Sequence, residues 1–122
     1  MTLILVVDDE VSIVEMLSMV LQNEGYEVIA AYNGQDGLNC LERAQPALVM
    51  SDVMMPLLDG FELCRRIQAD QRFKSIPIVL MSAVRTALHL KDCTYETLLK
   101  KPFEINELLE TVARLVKHAG SP

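Results

Sequence analysis

Apolar residues fall into five short, unbroken runs, separated by stretches in which they recur every three or four positions. The runs are Leu3–Val7, Val28–Ala31, Ala47–Ser51, Ile76–Met81 and Thr97–Leu99, the last being the weakest. Runs without polar alternation predict strands covered on both faces. Pro77 lies near the start of the fourth run, where a strand tolerates it. Between the first two runs, Val11, Val14, Leu17 and Leu21 share one helical face. Asp9 or Glu10 is placed to cap that helix, and Gly25 follows its last turn. Gly37 to Arg43 predicts a shorter helix, and Phe61, Cys64 and Ile67 mark a third. Ile105, Leu108, Leu109, Val112, Leu115 and Val116 form the clearest helical stripe. Strand and helix alternate, which predicts an α/β fold: a parallel sheet with helices on both faces.

Ligands of such sheets bind beyond the carboxyl ends of the strands, and four of those ends carry polar clusters. The first strand runs into Asp8-Asp9-Glu10, the third into Asp52, the fourth into Ser82, and the fifth into Lys100-Lys101-Pro102. Adjacent carboxylates without a counterion raise one another's pKa, and a hard divalent cation relieves the repulsion. Asp8 and Asp9 alone slightly favour a helix cap complementing the helix dipole. Together with Asp52 they fit a small Mg²⁺ site of carboxylates, waters and a phosphate. The stretch Asp52 to Gly60 (DVMMPLLDG) is turn-rich and closed by Asp-Gly, so Asp59 shapes this loop or starts the next helix.

Composition narrows the choice. The chain has 122 residues, enough for one domain with its own core, and a formal charge of −6. That balance disfavours direct nucleic-acid binding and polybasic attachment to membranes. No apolar run approaches the ~20 residues of a membrane-spanning helix, and no secretory signal is present, so the expected location is cytoplasmic. Cys40, Cys64 and Cys93 have neither disulfide-framework nor zinc spacing and read as small reduced core residues. Met50, Met54, Met55 and Met81 cluster at strand ends and read mostly as core filling. His89 and His118 read as exposed residues that bind no metal.

Four motifs, Val6-Val7-Asp8-Asp9-Glu10, DVMMPLLDG, Met81-Ser82-Ala83 and Lys101-Pro102-Phe103, stand in the order and spacing of the receiver domains of two-component response regulators. Each is weak alone; all four at strand ends make a specific signal, and the resemblance covers almost the whole chain. It implies a flavodoxin-like, doubly wound five-stranded parallel sheet of order 2-1-3-4-5. It implies a receiver domain over residues 1–118, with 119–122 as a tail or linker stub. It further implies that Asp52 accepts a phosphoryl group from a phosphohistidine on a sensor histidine kinase or phosphotransfer protein. Mg²⁺, with Mn²⁺ as a substitute, would be held by Asp9, Asp52 and the backbone carbonyl of Met54, with Asp8 acting mainly through a water. Lys101 would pair with Asp52 and then with a phosphoryl oxygen, supported by a cis bond to Pro102. Ser82 would be the switch hydroxyl, with Asp59 and Gly60 as structural support. The output would be a changed face that controls a downstream protein or an attached effector domain, or that forms a homodimer through the fourth and fifth helices. The only chemistry expected is assistance to its own phosphorylation and dephosphorylation. Met54 and Val84, both apolar, occupy the two variable positions beside the phosphoryl group and cannot orient a water, which implies slow self-dephosphorylation.

The sequence departs from the family between Ser82 and Lys101. This stretch has no Gly and is a few residues short, so the fourth helix is expected to be short or irregular, about two turns within Ala87–Cys93. Leu98 occupies the family's aromatic switch position; Tyr95 falls one turn earlier and either replaces it or simply packs. Leu88 to Glu96 is the expected least ordered internal segment. The main alternative is a degenerate receiver, a binding module without phosphoryl chemistry. A Mg²⁺-dependent phosphohydrolase would want a second acid where Met54 stands, and a flavodoxin-like cofactor domain a phosphate loop where Asp8-Asp9-Glu10 would repel it.

Overall fold

The computed structural model describes residues 2–83 and 94–119. The elements in chain order are β1 (Leu3–Val7), α1 (Val11–Asn23), β2 (Glu27–Ala31), α2 (Gly34–Arg43), β3 (Leu48–Asp52), α3 (Gly60–Ala69), β4 (Ile78–Ser82), β5 (Thr97–Lys100) and α4 (Ile105–Ala119). The five strands form one sheet in the order β2-β1-β3-β4-β5, with every pairing parallel.

The unbroken apolar runs follow from this order. β3 and β4 lie inside the sheet and are buried along their whole length, and β1 from Ile4 onward. The edge strands β2 and β5 are only partly buried. Successive side chains of a strand point to opposite faces, so one run serves two cores. Leu5, Val7 and Val49 pack with Cys40 and Leu41 of α2 and Leu63, Cys64 and Ile67 of α3. Ile4, Val6 and Met50 pack with Val14, Leu17 and Leu21 of α1 and Leu108, Val112 and Leu115 of α4.

Element ends differ from the sequence expectation by a few residues. β4 begins after Pro77, and α2 starts at Gly34 instead of Gly37 because the Asn33 side chain accepts the Asp36 N–H at 2.8 Å and caps it. Glu10 takes the N-cap position of α1 but supplies no side-chain cap. The carboxylate of Asp8 reaches forward instead and accepts from the Glu10 N–H at 3.0 Å. The helix expected within Ala87–Cys93, together with Val84, His89 and Cys93, lies outside the described residues. Of the segment expected to be least ordered, only Thr94–Glu96 is described. Gln68 of α3 accepts the Thr94 N–H at 2.8 Å and donates to the Thr94 carbonyl. Tyr95 packs on the α2/α3 core with its ring centroid 6.4 Å from that of Phe61. Cys40 and Cys64 are buried and not disulfide-bonded, and Met50, Met55 and Met81 are buried too; Met54 is exposed.

Candidate functional site

The parallel register brings the polar strand ends together. Asp52 lies opposite Met81, and Ser82 opposite Lys100, in neighbouring strands. Backbone bonds continue the sheet by one step: Val53 N–H donates to the Met81 carbonyl at 2.8 Å, and Lys101 N–H to the Ser82 carbonyl at 2.7 Å. Ser82 and the residue bearing the ammonium are therefore tied through the main chain, with Ser82 buried at the strand end. The Lys101-Pro102 bond is cis, as expected.

Three carboxylates converge at this edge. Asp8 (0% exposed) and Asp52 (5%) form the floor, and Asp9 is exposed at the mouth. One oxygen from each lies within 4.8 Å of the others. Lys101 Nζ bridges the two buried acids, 2.9 Å from Asp8 Oδ2 and 3.2 Å from Asp52 Oδ1. Sequence reasoning paired Lys101 with Asp52; the shorter contact to Asp8 was invisible because it spans ninety-three positions of the chain. Asp8 thus holds the lysine, starts α1 and faces the other acids at once.

The electrostatics follow from burial and count. Burial pushes the Asp52 carboxyl above its ordinary value, and the nearby charge of Asp8 adds to it. Lys101 opposes both, through its charge and its hydrogen bond, without cancelling them. Burial works against the Lys101 ammonium, but the hydrogen bond to Asp8 and the charges of Asp52 and Asp8 outweigh it and raise its pKa. Three carboxylates facing one ammonium leave unbalanced negative charge. All-oxygen donors in a compact cluster suit a hard divalent cation such as Mg²⁺, so the donor set fits the metal that the sequence suggested.

The loop from Val53 to Asp59 frames the other side. Asp59 caps α3 by accepting the Glu62 N–H at 2.8 Å. Gly60 N–H donates back to the Val53 carbonyl at 2.9 Å. A β-carbon at Gly60 would stand 2.3 Å from the Asp52 carbonyl oxygen and 2.9 Å from Val53 Cα. Only glycine lets the helix start press this closely on the backbone of Asp52. Val53, Met55 and Leu58 are buried and anchor the loop, while Met54 and Leu57 point outward. Met54, two residues beyond Asp52, is therefore open to solvent.

Comparisons with known proteins agree with this arrangement. A family model for the response regulator receiver domain matches residues 4–113. The chain belongs to that family. It is 33% identical over 117 residues to the DNA-binding dual master transcriptional regulator RpaA of Synechocystis, covering 93% of this chain and 48% of that protein. The receiver thus spans about half the length of the curated relatives it matches. Among solved structures, the chemotaxis response regulator CheY4 of Vibrio cholerae superposes with a TM-score of 0.87 at 33% identity, covering 94% of this chain and 98% of that one. The Thermotoga maritima response regulator TrrA, solved in complex with Mg²⁺–BeF, has a TM-score of 0.83 at 36% identity, covering 94% and 99%. The flavodoxin-like sheet order and the membership inferred from the four motifs both hold.

Proposed function

We propose that this receiver accepts a phosphoryl group on Asp52 from a phosphohistidine of a sensor histidine kinase or phosphotransfer protein. The observation that carries this reading is a nearly buried carboxylate with an ammonium 3.2 Å away and two further acids within reach of one cation. In the transfer, an Asp52 oxygen bonds to phosphorus as the phosphorus–nitrogen bond breaks, and the bonding pair leaves with the imidazole. Phosphoryl transfer depends mainly on positioning and charge neutralisation, which a carboxylate in this pocket can obtain. Lys101 then pairs with a phosphoryl oxygen. Asp8, Asp9, Asp52 and the Met54 carbonyl would hold Mg²⁺, or Mn²⁺ in its place, and the ion when bound would offset the charge of the phosphoryl group. Ser82 reorients toward the new acceptor oxygens. Phosphorylation adds about −1.5 to −2 charges, enough to shift a two-state element. Pro102, Asp59 and Gly60 hold the framework.

The domain is proposed to span residues 1–118, to work in the cytoplasm, and to control a downstream protein, an attached effector or its own dimerisation through the faces flanking β5. No described helix is long and apolar enough to cross a membrane. RpaA is named as DNA-binding; for this acidic chain we propose no direct nucleic-acid contact. The alternative of a phosphorylation-independent module gains no support from a pocket that keeps Asp8, Asp9, Asp52, Ser82 and Lys101. The phosphoacceptor reading is tested by intact mass spectrometry after incubation with acetyl phosphate and Mg²⁺. One phosphoryl group is expected on the wild type and none on Asp52→Asn; an unlabelled wild type would refute the reading. Met54, apolar and exposed two residues beyond Asp52, cannot orient a water, so the phosphorylated form should persist for minutes or longer after the donor is removed. A lifetime of seconds would contradict that role.

A further inference from the structure

We infer that Leu57 is the apolar contact by which a protein phosphodonor is recognised, and hence a specificity-determining residue; this rests on the phosphoacceptor reading of Asp52. Leu57 is fully exposed and sits at φ 69°, the left-handed region that a leucine rarely adopts. It carries both the conformational cost and the exposure of a large apolar side chain, while Met55 and Leu58 of the same loop are buried. The loop is not free to turn it inward. Leu58 is wedged against Gly34, where a β-carbon would stand 2.3 Å from Leu58 Cδ2, and the loop ends are pinned at Val53 and Gly60. Leu57 forms one lip of a cavity of about 510 Å³ that it shares with Pro56, Leu58, Tyr32, Asn33 and Gln35.

The position of the other exposed apolar side chains says what covers it. Six large ones are exposed among the described residues: Val11, Met19, Tyr32, Met54, Leu57 and Ile105. All but Met19 lie just beyond the carboxyl end of a strand, on the edge that holds Asp52. The surface thus shares the carboxyl edge of the sheet with the acceptor pocket. A small donor has no protein surface to lay over this rim. A protein carrying phosphohistidine must lay its own surface over it to bring the imidazole to a carboxylate that is 5% exposed. The rim also carries Asp9, Glu10, Asp36 and Asp59, so the matching surface is apolar with basic groups around it.

The test separates the two kinds of donor. The probe is whichever sensor kinase of the source genome, autophosphorylated with ATP, transfers fastest to the wild-type protein. Leu57→Asn keeps a residue that tolerates the left-handed backbone and removes the apolar contact; Leu57→Met keeps the contact. For Leu57→Asn, kcat/KM for transfer from the kinase should fall about tenfold, the loss expected for one unburied leucine, with labelling by acetyl phosphate unchanged. Leu57→Met should retain most of the transfer rate. Unchanged transfer in Leu57→Asn, an equal loss with both donors, or an equal loss in both variants overturns the inference. So does an effect confined to self-association in sedimentation, which would assign the rim to a second copy of the chain. A wild type that acetyl phosphate cannot label would instead overturn the phosphoacceptor reading, and this inference with it.

Discussion

Two connections leave neighbouring strands of the sheet and enter the same pocket in opposite ways. After β1 the chain needs only Asp8, Asp9 and Glu10 to start α1. After β3 it takes seven residues, Val53 to Asp59, to reach α3. The short connection delivers two acids and spends one of them, Asp8, on holding both Lys101 and the Glu10 N–H. The long connection delivers one acid from the strand itself and then builds a rim, alternating buried anchors with outward Met54 and Leu57. The short turn concentrates charge and leaves no room for shape; the long loop has room for both. Charge and access are thus divided between connections of adjacent strands.

This division can be tested at four points, taken from the strongest effect down. Gly60→Ala drives a methyl group into the Asp52 carbonyl, where the long loop closes. It should cost about 3 kcal/mol in urea unfolding, the upper end of ordinary overpacking. A cost below about 1 kcal/mol would mean that the loop relaxes freely and does not frame the acceptor.

Relief of charge on the floor comes next. With metal chelated at neutral pH, Asp52→Asn should raise Tm by a few degrees, because burial and the charge of Asp8 both disfavour an ionised Asp52. Added Mg²⁺ should stabilise the wild type more than the variant and narrow the gap. A lower Tm for the variant would show that the Lys101 pair outweighs the repulsion.

Asp59→Ala removes the cap that ends the long loop and should cost about 1 kcal/mol in the same unfolding assay. The start of α1 has no side-chain cap, so Glu10→Ala should cost far less. Equal losses would erase the contrast between the two connections.

The weakest effect concerns Glu62, in the first turn of α3. Its hydrogen bonds to Arg65 and then Arg66 hold its pKa at about 2, against an ordinary 4.5. A depressed carboxyl contributes stability that is fully present above its unfolded value and is lost as pH falls toward the folded one. The Tm difference between wild type and Glu62→Gln should therefore be small at neutral pH, as for other exposed pairs, and shrink between pH 4.5 and about 2. A difference that grows on acidification would place the charge elsewhere.

Much of this was legible in the sequence, for a local reason. Whether a run such as Leu48–Met50 becomes an interior strand depends on its own unbroken apolar character. A strand end that carries Asp52 or Ser82 announces itself where that character stops. Asp59-Gly60 is likewise a local turn signal, and the structure uses it as one. The alternation of such runs with helical stripes was enough for a parallel sheet, and the four strand-end motifs for the family. What local pattern could not assign was the sharing of partners. Asp8 and Asp9 by themselves favoured a helix cap and only with Asp52 a metal site, and Asp8 acts on the helix start and on Lys101 together. The closeness of Gly60 to Asp52, the seat of Tyr95 on Phe61, and the outward, left-handed Leu57 depend on which distant segments pack alongside. Pattern along a chain reports which residues leave water. Distances between charges, and the clearance left for a β-carbon, exist only once the sheet has set its neighbours side by side.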